Sequence, residues 1–156
     1  MNSNQFMTRA IELSREGMRA EEGGPFGAVI VRDGEIIAEG NNRVIIDNDP
    51  TAHAEVVAIR RAAATLGRFD LSDCELYTSC EPCPMCLGAI YWARPKAVYF
   101  ANTKHDAAAI DFDDSFIYDE IPKPMSERAI PFIAAPSDDA LAVFNEWAHK
   151  SDKTQY

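Results

Sequence analysis

His53-Ala54-Glu55 and, further along, Pro82-Cys83-Pro84-Met85-Cys86 decide how the rest of the chain is read. Together they supply one imidazole, two thiols and one carboxylate. A neutral imidazole and two thiolates give a zinc ion three ligands and leave the fourth tetrahedral position to water, as a catalytic site requires. The thiolates offset the charge of the metal, which still lowers the pKa of bound water toward neutrality. Residues two apart on a helix do not share a face, so Glu55 is poorly placed to bind metal beside His53. It is better placed as a general base.

Working outward, each half of this set falls on a helix start. Ala52 to Leu66 is rich in Ala, Ile, Val and Arg and reads as a helix ended by Gly67. Pro84 to Ala93 reads as a second, with proline in its first turn and Pro95 beyond its end. Cysteines three apart at such a start can face one point, and the helix dipole favours their thiolates. Cys74 to Thr78 and Ala97 to Phe100 read as strands. Upstream, Gly27 to Val31 and Glu35 to Glu39 flank Asp33-Gly34, a strong hairpin signal. An amphipathic helix precedes them, with Phe6, Ala10, Leu13 and Gly17 on one stripe and Met7, Ile11, Ser14 and Met18 beside it. Its expected N-cap is Ser3, and Gly23-Gly24-Pro25 stops it. Ala140 to Trp147 is expected as a last helix. Hairpin, helix, strand, helix, strand implies an α/β sandwich with helices covering a sheet.

The 156 residues suit one domain, 1–156, and 47% hydrophobic residues is ordinary for a globular protein. No apolar run reaches the length of a membrane span, and Met1-Asn2-Ser3-Asn4-Gln5 does not read as a signal peptide. A cytoplasmic protein without membrane partners is the expectation. A net charge of −10 disfavours a nucleic-acid partner, because gripping phosphates takes a concentrated basic surface. Arg60, Arg61 and Arg68 form the nearest approach to one, and a solvated helix face explains them as well.

Four cysteines within a short span (Cys74, Cys80, Cys83, Cys86) point to metal rather than disulfides in such a chain. A closed four-cysteine zinc would leave His53 and Glu55 without a role. An iron–sulfur run would need a further Cys-Pro where Ile90 and Tyr91 stand. Cys74 and Cys80 read most simply as small buried residues.

The pairing of H-x-E with P-C-x-x-C is the signature of zinc deaminases acting on bases. The chain resembles the cytidine deaminase superfamily, and within it the bacterial guanine deaminases. The matching stretches are Gly24 to Val31, Asn48 to Glu55 and Tyr77 to Pro95, with Phe112-Asp113-Asp114-Ser115-Phe116-Ile117-Tyr118 and the final Tyr156 pointing to guanine. The resemblance implies a three-layer α/β/α sandwich around a mixed sheet of about five strands. It implies one zinc per chain on His53, Cys83 and Cys86, with Glu55 as proton shuttle. It also implies Asp114 as a second catalytic acid at the amino edge of the base. Asn42, Phe26, Ala54, Trp92 and Tyr156 would bind the substrate: Asn42 at the ring, Phe26 on its flat face, Tyr156 closing the pocket. The partner is then a small purine base, and the segment from about residue 131 to 156 would be swapped within a homodimer. The reaction implied is hydrolysis of guanine to xanthine and ammonia. Deamination of guanosine, cytosine or a tRNA adenosine is the nearest alternative. A non-catalytic zinc-stabilised binding protein is the other, and Glu55 speaks against it.

Overall fold

The computed structural model describes residues 3–156. Helix α1 (Ser3–Arg19) opens the chain, and the stripe of Phe6, Ala10, Leu13 and Gly17 is the row it buries. The cap expected of the Ser3 side chain lies outside the described residues. Strands β1 (Gly27–Arg32) and β2 (Glu35–Asn41) follow as the expected hairpin, with Asp33 and Gly34 both at positive φ (51° and 79°) in its turn. Next come α2 (Ala54–Leu66), β3 (Cys74–Cys80), α3 (Pro84–Ala93) and β4 (Ala97–Asn102). Gly67 ends α2 in the left-handed conformation, its N–H returning to the Ala63 and Ala64 carbonyls.

The sheet order is β2-β1-β3-β4, with β1 antiparallel to both neighbours and β4 parallel to β3. Side chains alternate across it as the pleat demands. Val29, Val31 and Tyr77 meet Phe6 and Leu13 of α1 on one side. Ala28, Ile30 and Leu76 meet Ala54, Ala58 and Ala62 of α2 and Ile90 and Ala93 of α3 on the other. The three layers are therefore helix, sheet, helices. The small residues of α2 let its backbone close on the sheet: a side chain on Gly40 would stand 2.5 Å from the Ala54 carbonyl oxygen and 2.7 Å from the Ala58 nitrogen. That contact holds the start of α2, and so His53, against the sheet.

The sheet has four strands among the described residues, not about five. After β4 the chain turns into helix α4 (Lys104–Ala108), begun by a capping box in which Thr103 and Asp106 satisfy each other's backbone N–H. The later irregular stretch, residues 131–137, contains Pro131 and Pro136, which have no N–H to offer a ladder.

The chain forms two compact units, one up to Ser115 and one from Phe116 onward. The second contains most of α5 (Ser115–Glu120), a short 3-10 turn (Met125–Glu127) and α6 (Asp138–His149). Helix α6 is the expected last helix, two residues longer at each end. Its side chains are exposed throughout, as are Ile130, Phe132 and Ile133 before it.

Candidate functional site

Two helix N-termini carry the donor atoms. His53 is the N-cap of α2 and Cys83 the N-cap of α3, both in extended backbone and neither spending its side chain on the cap. The Asp49 carboxylate shapes the approach to His53, accepting from the N–H and hydroxyl of Thr51 at 2.8 and 2.7 Å. One turn into α3, Cys86 comes round to the same side as Cys83. His53 Nδ1 stands 3.5 Å from Cys83 Sγ and 3.5 Å from Cys86 Sγ, and one donor atom from each of the three residues lies within 4.8 Å of the others. A tetrahedral zinc, at about 2.3 Å from sulfur and about 2.0 Å from nitrogen, separates such donors by roughly 3.5 Å, so the set fits zinc. Among the described residues the cluster includes neither Cys74 nor Cys80, which rules out the closed four-cysteine site. Burial pushes both of those thiols up to about 11, in keeping with inert core cysteines.

The two ligand thiols differ. A hydrogen bond from Cys86, helped by His53, holds the Cys83 thiol below its usual range against the effect of its burial. The neighbouring Cys83 sulfur and burial drive Cys86 the other way.

Glu55 lies in the first turn of α2 and is only 6% exposed. Its Oε2 accepts from Cys86 Sγ at 3.3 Å and its Oε1 from the Thr78 hydroxyl at 3.0 Å. Burial raises its pKa, while those two hydrogen bonds oppose the rise. A buried carboxylate beside the donor set, its pKa raised by desolvation, has the character of a proton carrier. Thr78, 1% exposed on β3, is a site residue that the motifs do not mark. Its signal in the sequence is a polar side chain on the strand face that carries Cys74 and Leu76.

Around this centre, Asn42 is buried just after β2, its N–H donating to the Phe26 carbonyl at 3.0 Å and its Oδ1 accepting from the Val44 N–H at 3.1 Å. The Phe26 ring meets Phe112 edge-on, centroids 4.9 Å apart. Asp114 is half-buried, and desolvation, with the nearby Cys83 charge, raises its pKa. Its neighbour Asp113 instead accepts from the Ser115 N–H at 2.9 Å and so supports the start of α5. Ala54 is fully buried at the first position of α2. Trp92 is 64% exposed on α3, and Tyr156, 68% exposed, belongs to the second unit. The described geometry thus gathers His53, Cys83, Cys86 and Glu55 tightly, whereas Trp92 and Tyr156 face solvent.

An α/β/α domain with a three-donor metal site and a buried carboxylate against it has the plan of a metal-assisted hydrolase. The chain belongs to the cytidine and deoxycytidylate deaminase family, whose zinc-binding region matches residues 1–102. It is 60% identical to the guanine deaminase of Bacillus subtilis (strain 168) over 156 residues, the whole of both chains. The X-ray structure of guanine deaminase from Bacillus subtilis matches with a TM-score of 0.97, covering 100% of this chain and 99% of that one. A guanine deaminase from Nitrosomonas europaea matches with a TM-score of 0.70 at 36% identity, over 80% of this chain and 69% of that one. The tRNA-specific adenosine deaminase of Aquifex aeolicus (strain VF5) is 38% identical over 140 residues, 87% of this chain and 89% of the relative.

Proposed function

We propose that this chain deaminates guanine by hydrolysis, releasing xanthine and ammonia in purine catabolism or salvage, in the cytoplasm. The observation that carries the reading is the whole-length likeness to a guanine deaminase. The local geometry is compatible with it. His53, Cys83 and Cys86 hold one zinc, which when bound activates water near neutral pH. Glu55 takes a proton from the water as the water oxygen bonds to C2 of guanine, and passes that proton to the ring nitrogen. It then carries the remaining hydroxyl proton to the amino group, whose bond to C2 breaks as it leaves as ammonia. Asp114, its pKa raised, serves the same amino edge. Asn42 offers its Nδ2 to the ring, Phe26 walls one face, and Ala54 supplies a small, close-packed floor. In the dimer proposed below, Trp92 and the partner subunit's Tyr156 complete the enclosure. The tRNA reading has the Aquifex aeolicus relative behind it but meets a net charge of −10, unfavourable for a polyanion.

The chain also forms a homodimer in which the segment from about residue 131 to 156 crosses to the partner, adding Tyr156 of the partner subunit to each site. What supports this is the apolar surface of the second unit: Ile130, Phe132, Ile133, Leu141, Val143, Phe144 and Trp147 are all exposed, a cost that a second copy would relieve. No helix among the described residues is long and apolar enough to cross a membrane.

Ammonia release from guanine, with xanthine followed by its ultraviolet absorbance, tests the reaction. It should require zinc and collapse in Glu55→Gln while zinc stays near one per chain. Stoichiometric zinc with no release from guanine would refute the substrate.

A further inference from the structure

Asn42 sits in a loop whose construction centres on one carboxylate. Glu22 Oε2 accepts from Asn41 Nδ2 at 2.7 Å and from Arg43 Nη1 at 3.1 Å, so it holds the residues on both sides of Asn42. The Glu22 main-chain oxygen also accepts from the N–H groups of Ile45 and Ile46, each at 3.1 Å, tying down the chain beyond. Arg43 is gripped from its other side by Asp47 through two bonds of 3.0 Å. The next residue, Gly23, lies so close that a Cβ there would stand 2.1 Å from Asn42 Oδ1 and 2.5 Å from its main-chain oxygen. Only glycine leaves the carboxamide where it is.

These contacts settle how the amide points. Oδ1 is engaged by the Val44 N–H, so Nδ2 is the group left to meet a ligand. Turning the amide over would set its NH2 against the Val44 N–H, donor facing donor. Hydrogen bonds to an ionised group are roughly twice as strong as neutral ones, which makes the Glu22 carboxylate a firm element of the brace.

We propose that Glu22, with Gly23 beside it, is a positioning residue for base recognition. It holds Asn42 with Nδ2 presented, so the site takes a ring that offers an unprotonated acceptor there and rejects one that offers an N–H. The inference rests on the reading of Asn42 as a substrate contact.

The test is a mutant cycle on the zinc-loaded full chain with guanine: Glu22→Ala, Asn42→Ala, the double variant, and Glu22→Gln and Gly23→Ala. Glu22→Ala should raise KM about tenfold, the scale of one hydrogen-bonded contact, with kcat changed much less. Glu22→Gln should recover part of the loss, and Gly23→Ala should reproduce it. In the Asn42→Ala background the same Glu22 change should cost less than about twofold, because its route to the substrate is gone. An equal penalty in both backgrounds, or an unchanged KM, would overturn the positioning role. Wild-type kinetics in Asn42→Ala would remove the Asn42 contact itself, a different failure. If Glu22→Ala does not fold, Glu22→Gln and Gly23→Ala run the same cycle.

Discussion

Thr78→Val removes one hydroxyl from the centre of the site without changing the shape of the core. Thr78 is fully buried on β3, and its hydroxyl donates to Glu55 Oε1 at 3.0 Å and stands 3.2 Å from the Cys80 carbonyl oxygen. A hydrogen bond to a charged group in such a place is worth about 1.5–3 kcal/mol, a factor of roughly ten to a hundred. The bond favours the ionised carboxylate, since Thr78 lowers the pKa that burial raises. Its loss therefore raises the Glu55 pKa further and reduces the fraction of base at neutral pH. Steady-state kcat for guanine should fall about ten- to a hundredfold at pH 7. The acid limb of the pH–rate profile should move to higher pH, and activity should recover toward wild type on the alkaline side. Zinc content should not change, because Thr78 is no ligand, and Thr78→Ser should restore the profile. A Thr78→Val enzyme with wild-type kcat and an unmoved acid limb would refute the assignment of Glu55 as base and of Thr78 as its support.

Deleting Tyr156 should lower guanine turnover while the melting temperature holds, and unchanged kinetics would remove its role at the base. Sedimentation should find a dimer that exchanges subunits slowly; a monomer at working concentration would exclude the swap. Ile30→Ala, at the fully buried centre of β1, should cost about 2–5 kcal/mol in denaturant unfolding, and a much smaller loss would mean the core closes over the gap. The Arg9–Glu39 pair, with bonds of 2.7 and 2.9 Å, holds the Glu39 carboxyl below its ordinary value of 4.5. Its stabilisation is therefore present above about pH 4.5 and is lost as pH falls below it. Because the pair is partly exposed, the effect should stay under about 1 kcal/mol. Arg9→Ala should flatten the melting temperature over that acid range, and an unaltered slope would assign the acid sensitivity to other groups.

The elements up to residue 102 are legible because each is announced by its own residues. Asp33-Gly34 turns the hairpin, Gly67 and Pro95 stop helices, Pro84 starts one, and the period of Phe6, Ala10 and Leu13 is that of a buried helix face. The stretch after β4 is less readable. Asp106 looks like one more member of an acidic run, yet with Thr103 it forms a capping box. Asp113 likewise supports a helix start, whereas Asp114, next to it, is drawn partly out of solvent. No local pattern separates such neighbours, since the difference is in what surrounds them.

The donor set follows from the sequence alone, because ligand chemistry restricts residue type and a helix start restricts spacing. His53, Cys83 and Cys86 are recognisable for that reason, and Glu55 by its offset from His53. Tertiary structure alone decides which groups tune them. Thr78 reaches Glu55 across 23 positions of chain, Cys86 across 31, and Glu22 reaches Arg43 across 21. Such pairs exist only once the sheet has brought distant strands and helix ends together, and burial then gives each bond a strength that water would have cancelled.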